Sequence, residues 1–315
     1  MNDADVQTSV VIVTYNSEDD IETCLNYLED ESGLEVIVVD NASHDGTREV
    51  LTRLKDTGRI DVLSLSDENV GFAAAVNAGI KASTGGDVFL LNPDAKIRGA
   101  DILKLGQMCR EDPTIGILAP LVESGPTVAV MAAGRQPTIW PLFTHFSGLA
   151  RAFPHVKALR GRHLYMASHS AEEQEVEWVS GCALYVPRAV LREVGLLSEK
   201  WFMYGEDIEF ARRVGKQGYR VVVTPSVRAT HLIGSSVNKS GGLVSTMWAD
   251  NTYDYYSQEF EAGALRRLVW RLIFSGGLLT RAALFMVRAK RSPSLSEEYR
   301  GRARRFRRFA ASVWK

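Results

Sequence analysis

Cysteine is scarce in this chain. Cys24, Cys109 and Cys182 are three in 315 residues, odd in number, far apart and without C-x-x-C spacing. That excludes a disulfide scaffold and a thiolate zinc cage, and fits free thiols in a reducing compartment. Glycine is missing from the first strand-to-helix turn, Val13-Thr14-Tyr15-Asn16. Neither a dinucleotide fingerprint nor a P-loop forms without it, so the common dehydrogenases and P-loop kinases drop out. The amino terminus, Met1-Asn2-Asp3-Ala4-Asp5, has neither the basic nor the apolar block of a secretory signal, and the expectation is a cytoplasmic protein. No internal repeat is present, and net charge is almost absent at −1. That neutrality hides an asymmetry: Ala264 to Lys315 carries 14 Lys and Arg against Glu297 and Glu298, a net of +12, which leaves −13 on residues 1–263.

What is present is a core-forming composition, 45% hydrophobic and 24% charged, with strands and helices in alternation. Ser9–Thr14 reads as a buried strand. Ser17-Glu18-Asp19-Asp20 reads as a capping box for a helix with Ile21, Leu25 and Leu28 on one face. Strands follow at 35–39 and 61–65, with a helix carrying Val50, Leu51 and Leu54 between them. The small-residue stretch Asn69 to Gly79 opens a helix able to approach the sheet closely. Asp87–Asp94 is an apolar run bounded by glycines and by Pro93, hence a central strand that turns out of the sheet at a carboxylate. A helix near 101–110 and strands at 115–119 and 127–132 come next. Residues 135–175 show no period and read as a long excursion or lid. Order returns with a strand over 177–187 broken by Gly181, helices at 188–194 and from Glu206, and a strand at 219–223. The pattern predicts an α/β fold, a Rossmann-like and mostly parallel central sheet with helices on both faces.

Polar groups stand at successive strand ends: Thr14, Tyr15 and Asn16; Asp40 and Asn41; Asn92 and Asp94. Ligands bind at the carboxyl ends of such strands. Asp40 is able to accept hydrogen bonds from a nucleobase or ribose, or to form an Asx turn with the Asn-Ala-Ser after it. Asp94 suits a divalent cation holding a diphosphate, or a turn or helix cap. Glu206 and Asp207 open a helix, where acidic residues complement the positive helix end, and where a carboxylate is also placed to serve as a general base.

The motifs Thr14-Tyr15-Asn16, Asp40-Asn41-Ala42-Ser43, Asn69-Val70-Gly71-Phe72 with Asn77, Leu91-Asn92-Pro93-Asp94 and Gly205-Glu206-Asp207, in that order over about residues 9 to 235, resemble the motif set of the family 2 inverting glycosyltransferases. The Asn-Pro-Asp form and Asn-Val-Gly-Phe resemble the rhamnosyltransferase branch. Within it, Trp178-Val179-Ser180-Gly181, Trp201 to Asp207 and the basic tail look like the actinobacterial enzymes that build the peptidoglycan–arabinogalactan linker. The resemblance implies a GT-A fold and transfer of L-rhamnose from a dTDP-rhamnose donor to a polyprenyl-diphosphate-linked GlcNAc acceptor. It implies that Thr14, Tyr15, Asn16, Asp40, Asn41, Asn69, Gly71, Phe72, Asn77 and Asn92 bind the nucleotide sugar, and that Trp178, Ser180, Gly181 and Trp201 border the acceptor. It further implies Asp94 and His231, 24 positions beyond Asp207, as ligands of Mn²⁺ or Mg²⁺, with Asp207 as base and Glu206 orienting the acceptor. Asn92 departs from the family's Asp-x-Asp motif, and an amide is a weaker ligand than a carboxylate. Two other readings stand beside this one: the same enzyme with a UDP-galactofuranose or UDP-hexose donor, and a non-catalytic sugar-nucleotide-binding module. Nucleotidyltransferase chemistry is disfavoured by the glycine-free first turn.

Leu265 to Val287 alternates apolar blocks with Arg266, Arg267, Arg271 and Arg281 and contains Gly276-Gly277. Internal arginines make it a poor spanning helix, since each costs about 2.5–3.5 kcal/mol at the bilayer centre. An interfacial helix pair on an anionic membrane surface fits better, placing the protein peripherally on the cytoplasmic face of the cell membrane. A homo-oligomer interface is a competing use of the tail. Nucleic acid is not expected as a partner, because the basic charge is confined to the tail. The expected organisation is a GT-A domain over 1–240, with a nucleotide-binding half at 1–120 and an acceptor half at 121–240, and a helical basic membrane-associating region at 241–315.

Overall fold

A computed structural model describes residues 7–28, 31–84, 86–123, 130–231 and 246–315. In chain order its elements are β1 (Thr8–Thr14), α1 (Ile21–Leu28), β2 (Leu34–Asn41), α2 (Thr47–Asp56), β3 (Val62–Ser66), α3 (Phe72–Ala82), β4 (Asp87–Leu91), β5 (Ala95–Lys96), α4 (Gly99–Glu111), β6 (Ile115–Glu123) and β7 (Ala133–Gly134). After these come α5 (Ile139–Ser147), α6 (Leu149–Ala152), α7 (Met166–His169), β8 (Gln174–Val176), β9 (Trp178–Val179), β10 (Ala183–Val186), α8 (Arg188–Val194), α9 (Glu206–Lys216) and β11 (Arg220–His231). The last three are α10 (Met247–Glu259), α11 (Ala264–Arg291) and α12 (Ser296–Ser312). The chain divides into two compact units. One comprises the described residues of Met1–Gly134 and Tyr165–Ser240, the other those of Arg135–Leu164 and Gly241–Lys315.

The first unit is built on a nine-stranded sheet in the order β3-β2-β1-β4-β10-β6-β11-β5, with β8 beside β11. β1, β2, β3 and β4 run parallel, as do β6 and β11. β1 is buried along its whole length, which is why it reads as an unbroken Val-Val-Ile-Val run rather than an alternation. α3 lies on β1 and β2 as its small residues predict: a Cβ on Gly79 would stand 2.5 Å from Val11 Cγ1 and 3.4 Å from Val39 Cγ2. β10 enters between β4 and β6 antiparallel to both, with Ala183 opposite Leu91. The residues just before β10 are thereby brought to the carboxyl end of β4.

Several expectations change. The 219–223 strand continues to His231, bending at an irregularity between Thr224 and Arg228 and pairing His231 with Ala95 on β5. No capping box forms at Ser17–Asp20. Those residues tie to the loop after β2 instead, with Ser17 N–H donating to Thr47 Oγ1 at 2.7 Å and Gly46 N–H to Glu18 Oε2 at 3.0 Å. Half of the strand expected at 127–132, residues 127–129, lies outside the described residues, and Val130 makes an isolated bridge to Tyr165.

In the second unit, α5 and α6 join α10, α11 and α12 around an aromatic core. Trp270 stacks on Phe274 at 4.6 Å and on Tyr256 at 5.6 Å, and its indole N–H donates to the Pro137 carbonyl at 2.7 Å. Residues 135–164, expected within a single domain over 1–240, belong to this unit because Leu142 and Phe146 need the apolar faces of the carboxyl-terminal helices to be buried. Gly276-Gly277 does not divide the long helix. α11 runs unbroken over 28 residues, and at Gly277 the Phe146 ring fills the place a Cβ would take, 2.1 Å away.

Candidate active site

The loops at the carboxyl ends of β1, β2 and β4 form one edge of the sheet unit. Asp40 ends β2 and is completely buried. Its carboxylate accepts from Thr14 Oγ1 at 3.0 Å, Ser43 N–H at 3.1 Å, Ser43 Oγ at 2.5 Å and Arg48 Nε at 2.9 Å. A carboxylate so filled has no room for a nucleobase, which corrects the expectation that Asp40 and the equally buried Thr14 touch the nucleotide directly. They brace the loop after β2. Asn41 is buried one step further on; its Nδ2 donates to Asn69 Oδ1 at 2.8 Å and to the Gly71 carbonyl at 3.2 Å, and its Oδ1 accepts from Val70 N–H at 3.0 Å. Asn77 is likewise a clasp and not a ligand group: its amide holds the 197–199 segment through Leu197 N–H, the Leu197 carbonyl and Glu199. Tyr15, Asn16, Asn69 and Phe72 remain partly open at this edge. Asn16 and Ala42 sit there at positive φ, 52° and 65°, an uncommon conformation for residues with a Cβ.

After β4, Pro93 and Asp94 occupy the middle of a turn closed by Ala95 N–H to the Asn92 carbonyl at 3.0 Å. The turn aims Asp94 at the end of β11, where Asp94 Oδ1 lies 3.0 Å from His231 Nε2, with Asn92 Nδ2 at 3.4 Å from the same nitrogen. Burial alone would lower the His231 pKa. The hydrogen bond to Asp94, with a further contribution from Cys182, outweighs it and pushes the value up to about 10. A carboxylate oxygen and an imidazole nitrogen 3.0 Å apart are donors that would hold a divalent cation. Among the described residues no group of three or more His, Cys, Asp or Glu is arranged to hold a metal ion.

Asp207 comes to the same place from α9. Asn92 N–H donates to the Cys182 carbonyl at 2.9 Å, and the neighbouring Gly181 N–H reaches Asp207 Oδ2 at 3.4 Å. A Cβ on Gly181 would lie 3.3 Å from the Phe72 ring and 3.9 Å from Asp207 Cβ. Two consecutive residues, Gly181 and Cys182, thus lie between the turn that carries Asp94 and the Asp207 carboxylate. The loop before α9 is anchored across the edge by Phe72 N–H donating to the Phe202 carbonyl at 2.9 Å. Gly71, at φ 87°, is required at this closure, since a Cβ would come within 2.5 Å of that same carbonyl oxygen.

Glu206 is buried beside Asp207, and its Oε2 has no hydrogen-bond partner among the described residues. Burial first, then the Asp207 charge, raises its pKa well above the ordinary carboxylate range. It holds its proton at neutral pH and adds no second charge beside Asp207. Trp178 and Trp201, expected against an acceptor sugar, are 5% and 6% exposed. Their rings are wall, not platform, with Trp201 packed under Gly205. Ser180 donates its N–H to the Ala132 carbonyl at 2.9 Å and borders a cavity of about 10 Å³ with Met131 and Val179. The apolar groups that do face outward here are Val70 and Phe202. Phe202 carried a signal in its aromatic-rich turn, whereas Arg48, which completes the Asp40 cluster, carried none.

A mostly parallel α/β sheet whose strand ends gather a carboxylate–imidazole pair and a separate helix-borne carboxylate defines the class: a glycosyltransferase of GT-A type. The sequence profile of Glycosyl transferase family 2 matches residues 9–164, and that part of the chain is a domain of the family. The chain is similar to the N-acetylglucosaminyl-diphospho-decaprenol L-rhamnosyltransferase of Mycobacterium tuberculosis, 28% identical over an alignment of 295 residues that covers 89% of this chain and 92% of the relative. It is also similar to the low-salt glycan biosynthesis hexosyltransferase Agl10 of Haloferax volcanii, 29% identical over 71% of this chain and 66% of the relative. In fold it matches the mannosyltransferase PcManGT of Pyrobaculum calidifontis, solved with GDP-Man and Mn²⁺, at TM-score 0.58 and 19% identity over 98% of this chain and 85% of that one.

Proposed function

We propose that this glycosyltransferase moves L-rhamnose from dTDP-rhamnose to a polyprenyl-diphosphate-linked GlcNAc, with inversion at the sugar carbon. The observation that carries the reading is the meeting of Asp207 with the Asp94–His231 pair across Gly181 and Cys182. The near full-length similarity to the mycobacterial rhamnosyltransferase supports the donor and acceptor. Asp94 and His231 would hold a Mn²⁺ or Mg²⁺ ion, which when bound neutralises the departing diphosphate. Tyr15, Asn16 and Asn69 border the nucleotide, on a loop that Asp40, Arg48 and Asn41 keep in shape. Asp207 accepts the proton of the acceptor hydroxyl as the new oxygen–carbon bond forms and the bond to the diphosphate breaks. A carboxylate suffices as base because that hydroxyl becomes acidic in the transition state. A protonated Glu206 has a proton to donate toward the acceptor and places no competing negative charge beside the base.

A second reading, transfer of a hexose from UDP-hexose or of galactofuranose from UDP-galactofuranose, is favoured by the hexosyltransferase relative. One experiment separates them: thermal unfolding with dTDP, UDP and GDP, each with and without Mn²⁺, followed by turnover of the matching sugar nucleotides on a short-chain polyprenyl-diphosphate-GlcNAc. A ligand at about 100 times its dissociation constant stabilises by about 2.7 kcal/mol. The rhamnosyl reading expects the largest shift with dTDP and Mn²⁺, and turnover of dTDP-rhamnose. A larger shift and turnover with UDP compounds overturns it in favour of the hexosyl reading.

A further inference from the structure

α11 contains no Asp or Glu, and its two sides differ sharply. One side holds Trp270, Phe274, Leu278 and Ala282 in the aromatic core of its unit. Its central arginines are folded onto rings, Arg271 over Tyr253 at 4.3 Å and Arg281 over Phe146 at 4.9 Å. The opposite side exposes Leu265, Leu268, Leu272, Leu279, Leu284 and Val287, each between 45% and 73% open. Those residues follow helical spacing over about 33 Å at 1.5 Å per residue. A solvated face of that length is expected to be polar, so a covering is required.

Charge says what the covering is. Arg266 and Arg267 precede the apolar stripe, and Arg288, Lys290 and Arg291 follow it. α12 then returns along α11, with Phe285 stacked on Phe306 at 5.7 Å and Trp314 Nε1 bonded to Ser275 Oγ at 2.7 Å. It carries six exposed arginines between Arg300 and Arg308. Its two carboxylates, Glu297 and Glu298, are already paired with Arg304 and Arg302. A second copy on the same face would set one +12 segment against another. Anionic headgroups with acyl chains beneath them complement both the arginines and the leucines. The helix is long and apolar enough to span a bilayer, with a mean hydropathy of 1.4 in its best window, but a third of that window is inside the protein. On α5, which meets α11 through Phe146 and Phe274, Trp140 and Phe143 stack at 5.6 Å and are exposed, aromatic groups of the kind that settle at headgroup level.

We propose that the exposed face of α11, with the arginines around it, docks on an anionic lipid bilayer and lies along its surface. The inference does not depend on the sugar transferred. The test uses the full chain and sedimentation with vesicles of phosphatidylcholine alone or with roughly a third phosphatidylglycerol. Wild-type protein should pellet with the anionic vesicles about tenfold better than with neutral ones, and less well at high salt. The triple variant Leu268→Gln, Leu272→Gln, Leu279→Gln should lose about tenfold or more of that binding with its circular dichroism unchanged. A second measurement leaves the apolar face almost intact. The native cysteines are all buried, so a Leu272→Cys variant takes a polarity-sensitive dye at that position, and its emission should shift to the blue on adding anionic vesicles. Absence of that shift, equal binding to both vesicle types, or equal binding by the triple variant overturns the proposal. So does a native dimer that fails to bind vesicles and that the triple variant converts to monomer.

Discussion

In the sheet unit the buried charges are mainly acidic, and two of them are held by specific donors: Asp40 by Thr14, Ser43 and Arg48, and Glu35 by Ser9 and Thr84. In the helical unit the inward-turned charges are cationic and rest on rings, Arg162 over Trp248 at 4.6 Å and Arg271 over Tyr253. The first arrangement fixes direction, because a carboxylate with three or four donors has one orientation. That is what a site at the edge of a sheet needs. The second fixes position while tolerating rotation, since a flat guanidinium slides on an aromatic face at little cost.

The sharpest break of this contrast is chemical. Asp207→Asn should lower the transfer rate by about 10²–10⁴, the worth of a general base, with nucleotide affinity unchanged in a binding titration. Loss of both would make Asp207 a structural carboxylate like Asp40. Next, Trp270→Ala should cost about 3–5 kcal/mol in denaturant unfolding. Amide exchange should rise in α10 and α11 while β1 and β4 stay protected; loosening of those strands as well would show that the two cores are not separate. Asp40→Asn should cost about 2–3 kcal/mol, since the hydrogen bonds it weakens are charge-assisted. Its effect on nucleotide affinity should follow from loop disorder and be relieved by lower temperature; a loss that cooling leaves in full would restore Asp40 as a direct ligand.

The smallest effect is one of pH. Burial, then the charges of Arg281 and Arg162, lower the His145 pKa from 6.5 to about 3. A folded-state value below the unfolded one gives stability that is complete above pH 6.5 and is lost as pH falls toward 3, by about 1–2 kcal/mol between pH 6.5 and 5. Glu206 acts with the opposite sign. Its raised value favours the fold at low pH, and that contribution is lost as pH rises above the ordinary carboxylate range. His145→Gln should flatten the acid side of the stability profile and Glu206→Gln the alkaline side. Exchange measured peptide by peptide should place the first change in α5 and α11 and the second in α9.

The succession of elements around β1 to β4 was legible because each strand there is buried on both sides and each helix on one, and local sequence records both patterns. The close approach of α3 was legible for a similar reason, since its small residues are adjacent in the chain. The fate of Asp40 was not. Its hydrogen-bond partners come from β1, from its own turn and from α2, and a carboxylate facing a ligand is written the same way as one facing Arg48. Trp178 and Trp201 share that ambiguity, for a tryptophan beside a glycine suits a sugar platform and a packed wall alike. Residues 135–164 have no period of their own because their burial is supplied by helices more than 80 positions later.

By itself, then, the sequence determined the α/β order, the motif series of a family 2 glycosyltransferase and a tail with a strong positive excess, all of which depend on residues near one another in the chain. Only the tertiary structure decided which carboxylates are spent inside the protein and which remain for chemistry, how Asp94, His231 and Asp207 come together, and which face of α11 is left bare. Those outcomes turn on whether a polar or apolar group finds a partner from a distant element, and no local pattern records that.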